Sequence, residues 1–252
     1  SGITPELRAA YSRSGLSHLL AVSGLHTGIV FALVNLLLWW LPLLRRGHLL
    51  RNLLAAACIW IYVAAAGFPP SAVRAAVMFT MLQSALASAS EYNGLNALAA
   101  AAFGMLLWNP AWLGDISFQL SFAAVAAILA WGVPLCRRLR TRRRALNPIT
   151  DALAVSLAAT LATTPLVSHT FGIVPLAGVV VNPAAILLGS VVVLAGALWM
   201  LLPVGWAAPA FECVLSHTAE GLNALARVTA DLPCTAAEYA LGGGATAAVY
   251  LF

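Results

Sequence analysis

The sequence predicts an all-α polytopic membrane protein, and two observations support this fold class. First, 62% of the 252 residues are hydrophobic and only 8% are charged, whereas a soluble domain carries roughly 25% charged residues. So few charges cannot cover a surface exposed to water, and the mean hydropathy of +0.93 agrees. Second, the apolar residues form segments of about 20 residues, the length at which a helix spans the hydrocarbon layer. We therefore expect a bundle of about seven to nine transmembrane helices.

Apolar segments follow one another along the chain and are separated by residues typical of turns. Residues 206–231 are more polar and predict an amphipathic helix, either at the membrane interface or facing the bundle. Residues 238–252 resemble the start of a further span. Pro183 follows Asn182 inside an apolar stretch, and because proline removes a helical hydrogen bond, we expect a kinked or broken span there. The main segments lie near 18–44, 49–67, 71–90, 94–109, 115–135, 151–168 and 176–202.

The arginines predict the orientation of the chain in the membrane. Arg45–Arg51 lies between the first two segments, and a denser run lies between the fifth and sixth. Because positive loops stay on the cytoplasmic side, both loops are expected in the cytoplasm and Ser1 outside it. The denser run also suits phosphate or anionic lipid headgroups, although a topology anchor is the simpler interpretation. Its members are Arg137, Arg138, Arg140, Arg142, Arg143 and Arg144.

Small and polar residues interrupt the first apolar segment. At about 100° per residue, Ser17, Gly24, Gly28 and Asn35 fall on one helical face. Gly24 and Gly28 form a G-x-x-x-G pair, which lets the backbone of another helix approach closely. His26 lies on the opposite side of this helix. The pattern predicts a packing face within a helical bundle.

Arg74 and Asp115 are charged residues near the ends of apolar segments. A charge inside a membrane costs a few kcal/mol or more and normally faces a cavity or a partner. Arg74 either extends to the outer interface or faces inward, pairing with Asp115 or contacting an anionic substrate. Asp115 is placed to cap the next helix, with Gln119 one turn later on its face. Ser121, on another face of that helix, suits either interhelical hydrogen bonding or a hydrophilic pathway.

The sequence contains no pattern of catalytic residues. No G-x-S-x-G or H-E-x-x-H motif occurs, and no two carboxylates share a motif. The cysteines lack the spacing of a zinc or redox site. We therefore expect no enzyme activity, no metal and no cofactor. The cysteines are Cys58, Cys136, Cys213 and Cys234.

Four motifs resemble those of a known family. "SGLSHLLAVSGLHTGIV" resembles the signature that opens the membrane domain of ComEC-type competence proteins, the inner-membrane DNA-uptake channels. "PPSAVRAAVMFTM", "NPAWLGDISFQLSFAAVAAIL" and "SLAATLATTPLVSHTFGIVPLAGVVVNPAAI" resemble later blocks of that domain, in the same order. The resemblance extends from about Gly2 to Pro203, and the tail after Trp206 matches only in character.

This resemblance implies a function in natural transformation, in which such proteins carry one strand of DNA across the cytoplasmic membrane. It also implies that residues 1–252 are a membrane-embedded competence domain. Full-length members usually have an OB-like domain before this region, and many have a metallo-β-lactamase-like domain after it. Neither is expected within this chain, so nuclease activity of the later domain is not assigned here.

A hydrated path for DNA requires small, hydroxyl, amide and a few cationic groups, and several residues of this chain fit that description. The implied partners are single-stranded DNA, membrane lipids, a DNA receptor and a cytoplasmic motor or single-strand-binding protein, and a homo-oligomer is left open. Two other classes remain, a transporter of small solutes or lipid precursors and a membrane scaffold for flanking domains. The candidates for the path are Ser17, Ser23, His26, Arg74, Gln119, Ser121 and Asn182.

Overall fold

The computed structural model describes residues 4–16, 23–41, 47–87, 91–140, 146–175, 177–201, 205, 208–231 and 236–238. These residues are mostly helical, which confirms the all-α fold class. The strand pair that they also contain, β1 (Ile173–Pro175) with β2 (Ala236–Glu238), is antiparallel and was not predicted. The helices are α1 (Pro5–Arg13), α2 (Gly24–Leu37), α3 (Gly47–Ala65), α4 (Pro70–Ala87), α5 (Gly94–Trp108), α6 (Ile116–Ala127), α7 (Val133–Leu139), α8 (Asn147–Phe171), α9 (Gly178–Leu201) and α10 (Ala208–Asp231).

Apolar helices of membrane-spanning character account for most of these elements. Within the described residues, three helical segments are long and apolar enough to cross a membrane: Ile116–Leu139, Asn147–Phe171 and Gly178–Met200. Shorter apolar helices cover Gly24–Leu37, Leu49–Ala65 and Gly94–Trp108. The chain is therefore a membrane protein, while the predicted number of seven to nine spans stays a prediction. The further span expected at 238–252 lies outside the described residues apart from the end of β2.

The chain divides into two compact units, and the first comprises residues 22–122. In it, α2, α3 and α4 contact one another, and α5 packs against α4. The start of α2 contacts the start of α4 and their ends also meet, so these two helices run parallel. The buried centre of the unit is apolar and consists of Ile59, Val63, Ala72, Val73, Ala76, Met105 and Phe118.

The turn between α3 and α4 has a defined geometry. Gly67 has φ +81° and Phe68 has φ +54°, both in the left-handed region. The N–H of Phe68 donates to the carbonyl of Val63 at 3.0 Å, and that of Gly67 to Ala64 at 3.0 Å. This pair of bonds is a Schellman motif, which ends a helix by satisfying its last carbonyls. Pro70 then begins α4 at a position where proline loses no helical bond.

The second compact unit comprises residues 1–21 and 123–252. In it, α10 packs against α9 and α1, and α8 packs against α7 and α9. The hydroxyl of Tyr11 donates to Oδ1 of Asn223 at 2.9 Å and joins α1 to α10. The amphipathic helix predicted for 206–231 is present as α10, with Ala226 and Ala230 buried and Arg227 exposed.

A kinked or broken span was predicted at Asn182–Pro183, and the structure shows no break there, while the kink stays a prediction. Helix α9 continues through Pro183 from Gly178 to Leu201. Because α9 begins only five residues earlier, the proline lies in its second turn and removes a single backbone hydrogen bond. An irregularity occurs elsewhere, where a π-helical turn at Ile128–Gly132 separates α6 from α7. Val133 separates this turn from Pro134, which lacks the N–H that would donate a helical hydrogen bond.

Candidate functional site

A capping box begins helix α2. The N–H of His26 donates to Oγ of Ser23 at 3.5 Å, and the N–H of Ser23 donates to Nδ1 of His26 at 3.3 Å. Such reciprocal bonds satisfy two donors that a helix start leaves unpaired. Both side chains are half-buried. Two residues predicted for the DNA path therefore shape the start of this helix, and their role in transport stays a prediction.

Arg74 lies inside the first unit rather than at its surface. Only 7% of its surface is exposed, and its Nε is buried without a hydrogen-bond partner. Its Cζ lies 5.8 Å from the ring centroid of Phe122, within the range of a cation–π contact. Of the two orientations considered for Arg74, the structure has the inward one.

The glycines of α2 face α4. A Cβ atom built on Gly24 would lie 2.6 Å from Nη2 of Arg74, and one built on Gly28 would lie 3.4 Å from Cζ of Phe79. The Phe79 ring stacks on Phe31 at a centroid distance of 4.5 Å. Since a Cβ atom does not approach another heavy atom to 2.6 Å, the position of the Arg74 guanidinium requires glycine at position 24.

The predicted pairing of Arg74 with Asp115 is not seen in the described part of the chain. Oδ1 of Asp115 accepts instead from the N–H groups of Ser117 and Phe118, at 2.6 and 3.2 Å. It therefore caps α6, as one of the two interpretations expected. Gln119 is also used locally, because its Nε2 donates to the carbonyl of Leu113 at 2.7 Å.

A second polar cluster lies near the C-terminal ends of α2 and α4 and joins both helices to α3. Oδ1 of Asn35 accepts from Nη2 of Arg51 at 3.0 Å and from Nε2 of Gln83 at 2.9 Å. Nδ2 of Asn52 donates to the carbonyl of Gln83 at 3.4 Å. Arg51, predicted within a loop, lies inside α3, and its Nε is buried without a hydrogen-bond partner. Its positive charge therefore meets a neutral amide.

Sequence reasoning missed Gln83, Arg51 and Asn52 as site residues. A usable signal was present, because an amide or a charge within an apolar helix usually bonds to a neighbouring helix. Gln83 is 3% exposed, the burial expected of such a contact.

The other predicted residues include Ser121, Ser17 and the basic run of 137–144. Ser121 is half-buried, and Ser17 lies outside the described residues, as do Arg142, Arg143 and Arg144. Arg137 and Arg138 form the last turn of α7, where positive charge is favourable, and both are exposed, as is Arg140. Binding of lipid or phosphate by these arginines stays a prediction.

Asn182 lies in the second unit, in the second turn of α9. Its Oδ1 is buried without a hydrogen-bond partner, and its Nδ2 lies 3.5 Å from where a Cβ of Gly178 would be. Oγ of Ser156 on α8 donates to the carbonyl of Gly178 at 3.5 Å. Among the residues that the structure describes, no group of three or more His, Cys, Asp or Glu side chains is placed to hold a metal ion.

Comparisons with known proteins give the family. The Competence protein family matches residues 1–252. The chain is 31% identical over 127 residues to ComE operon protein 3 of Bacillus subtilis (strain 168). That match covers 50% of this chain and 16% of the relative, so this chain spans a small part of the relative's length. No solved structure matches. The resemblance to ComEC-type competence proteins is confirmed, and the chain belongs to the Competence protein family.

Proposed function

We propose that this chain is the membrane domain of a DNA-uptake protein and that it carries single-stranded DNA into the cytoplasm during natural transformation. The observation that carries the proposal is a pair of arginines without a carboxylate partner in residues 22–122. Arg74 Nε and Arg51 Nε are both buried and unbonded. The acidic residues of this unit are Glu91, which is exposed, and Asp115, whose carboxylate caps α6.

Arg74 lies near the start of the parallel helices α2 and α4, and Arg51 of α3 lies beside the other end of α2. Arg74 contacts Gly24, and Arg51 bonds to Asn35. Eleven residues separate these two positions of α2, which corresponds to about 16 Å at a rise of about 1.5 Å per residue. Each nucleotide adds one negative charge, so a strand that passes along α2 and α4 would meet a cation near each end of this helix pair. A few separated cations attract the strand without holding it, which conduction requires.

The proposed location is the bacterial inner membrane. The positive-inside rule places Ser1 outside the cytoplasm and the arginines of 45–51 and 137–144 inside it. Arg74 would then meet the incoming strand, and Arg51 would lie near its exit. The chain contains no P-loop motif, so we assign the driving force to a cytoplasmic motor and the supply of DNA to a receptor. We assign it no enzymatic step.

DNA import by cells tests this function directly. In the full-length protein, Arg74→Ala should lower import of labelled DNA at least tenfold at unchanged membrane levels, because the strand loses its first cation. Arg227→Ala provides the control, since Arg227 is an exposed arginine on α10. Unchanged import in the Arg74 variant would show that Arg74 is not part of the DNA path. Unchanged import in cells without the gene would contradict the proposed function.

Accessibility labelling tests whether the path is wet. Cysteines introduced at Ser23 and Gln119, after removal of the natural cysteines, should react with a water-soluble maleimide. A cysteine at Leu107 is the control, because that side chain is 75% exposed on an apolar helix and is expected to face lipid. Equal protection of all three positions would contradict a hydrated path.

A transporter of small solutes or lipid precursors is the second candidate, and it would also use buried polar groups. Binding of single-stranded DNA distinguishes the two, because the affinity of a phosphate-binding protein falls steeply with salt. A scaffold for flanking domains would show neither DNA binding nor labelling of the path.

A further inference from the structure

The guanidinium of Arg74 is a buried charge without an ionic partner among the residues that the structure describes. It is 7% exposed, and its Nε has no hydrogen-bond partner. Taking a charge out of water is unfavourable unless it is paired. The contact with the Phe122 ring, at 5.8 Å, compensates only in part. The positive charge of Arg74 is thus not neutralised by the residues that the structure describes around it.

The first turn of α2 lies directly against this guanidinium. The position that a Cβ of Gly24 would take is 2.6 Å from Nη2 of Arg74. Helix N-termini carry a partial positive charge and unpaired N–H groups that suit an anion. No acidic residue occurs in the first turn of α2. Two sources of positive potential therefore meet at one place.

The capping box of α2 does not involve every N–H group of this turn. It uses the N–H groups of Ser23 and His26. The N–H groups of Gly24 and Leu25 take no part in it. Gly24 has no side chain, so the guanidinium lies directly against the backbone of this turn.

We propose that Arg74 and the first turn of α2 bind a single phosphodiester group of a nucleic acid strand. This inference rests on the proposed function and specifies its substrate contact. One guanidinium matches the single negative charge of a phosphodiester, and its fork of N–H donors matches the paired oxygens. Phospholipids carry the same group, but a lipid headgroup docks at the lipid-facing surface, whereas Arg74 is buried among α2, α4 and Phe122. Gly24 acts as a positioning residue, since any side chain there would displace the guanidinium.

Binding of dimethyl phosphate, the simplest phosphodiester monoanion, tests the site without transport. The full-length protein is purified in a maltoside detergent, and its thermal midpoint is followed as dimethyl phosphate is added, because a ligand of the folded state raises the midpoint. Gly24→Ala should weaken binding at least fivefold. The matched control is Gly104→Ala, because nothing lies within 4 Å of a Cβ at that helical position. Equal binding by the two variants would overturn the site.

The arginine variants show whether the charge or the fork matters. Arg74→Gln should abolish binding, and Arg74→Lys should retain part of it, because lysine keeps the charge without the bidentate geometry. If Arg74→Gln fails to fold, the comparison of Gly24→Ala with Gly104→Ala still tests the proposed site. Dimethyl phosphate that binds equally to the wild type and to a folded Arg74→Gln variant would also overturn the site.

Two further probes separate DNA from lipid. A fluorescent oligothymidine of twelve nucleotides should bind the wild type with an affinity that falls as salt is added. The slope of log affinity against log salt should be shallower for Gly24→Ala, by about the amount that one phosphate contact contributes. Loss of phosphatidylglycerol binding in Gly24→Ala with unchanged oligothymidine binding would assign the site to lipid and overturn the nucleic-acid assignment.

The inference and the proposed function fail in different ways. If deletion of the gene stops DNA import but the Gly24→Ala variant imports normally, the function stands and the site is overturned. If deletion leaves import unchanged while oligothymidine and dimethyl phosphate still bind through Arg74, the function fails and the site stands.

Discussion

The unit of residues 22–122 and the unit of residues 1–21 and 123–252 use their polar side chains differently. In the first, amides and an indole bond between helices, as in Gln83 to Asn35 and Trp60 to Thr80. In the second, most hydroxyls bond to a carbonyl of their own helix, as in Thr163 to Ala159 and Ser190 to Ile186. Hydroxyls of the first unit also bond within their own helix, as in Thr80 to Ala76. The difference between the units therefore lies in the amides and the indole that join helices of the first, whereas the described residues of the second have fewer such contacts, chiefly Tyr11 with Asn223.

Removing the central acceptor of the first unit should have the largest effect on stability. Asn35→Leu leaves donors of Arg51 and Gln83 without their shared oxygen. A buried donor left unsatisfied costs about 1–3 kcal/mol, so we expect a destabilisation in that range. The measurement is the free energy of unfolding of the full-length protein in detergent. A loss no larger than that of Thr163→Val would contradict the distinction between the units.

Tyr11→Phe tests a polar contact between two helices of the second unit. The hydroxyl of Tyr11 bonds to Asn223 and joins α1 to α10, so its loss should cost about 0.5–1.5 kcal/mol. The ring remains, and the packing against Leu16 and Ala226 is retained. Proteolysis near Arg13 provides the readout and should become faster as α1 detaches more often. A cleavage rate equal to that of the wild type would show that the hydroxyl does not hold α1.

Thr163→Val should have the smallest effect. Its hydroxyl donates to the carbonyl of Ala159 at 2.9 Å, and a carbonyl within a helix also receives a backbone N–H. The replacement keeps the shape, so we expect a change within about 0.5 kcal/mol. Unfolding under the conditions used for Asn35→Leu measures it, and a change above that range would indicate that hydroxyls in the second unit also support packing.

Local features of the sequence predicted much of the fold. Apolar length and turn residues placed α4, α5, α8 and α10 within a few residues of their observed bounds. The stripe of Gly24, Gly28 and Asn35 does face another helix, as the 100° repeat of a helix predicts. These features depend on residues close together in the chain.

Features that depend on distant residues were not predicted. Gln83 and Asn35 are separated by 48 positions, so no local pattern relates them. β1 pairs Ile173 with Glu238, which are also far apart in sequence. The capping box of α2 escaped notice because it uses histidine three residues after the serine, where glutamate or glutamine is usual. In the candidate site, the sequence identified Arg74 but not its contacts with Gly24 and Phe122.

The close approach of Gly24 to Arg74 has a consequence for the evolution of this family. A mutation that gives position 24 a side chain requires the end of the Arg74 side chain to shift or residue 74 to become shorter. The two positions, fifty residues apart in sequence, should therefore change together across relatives. An alignment in which residues larger than glycine at position 24 coexist freely with arginine at position 74 would show that the contact is dispensable.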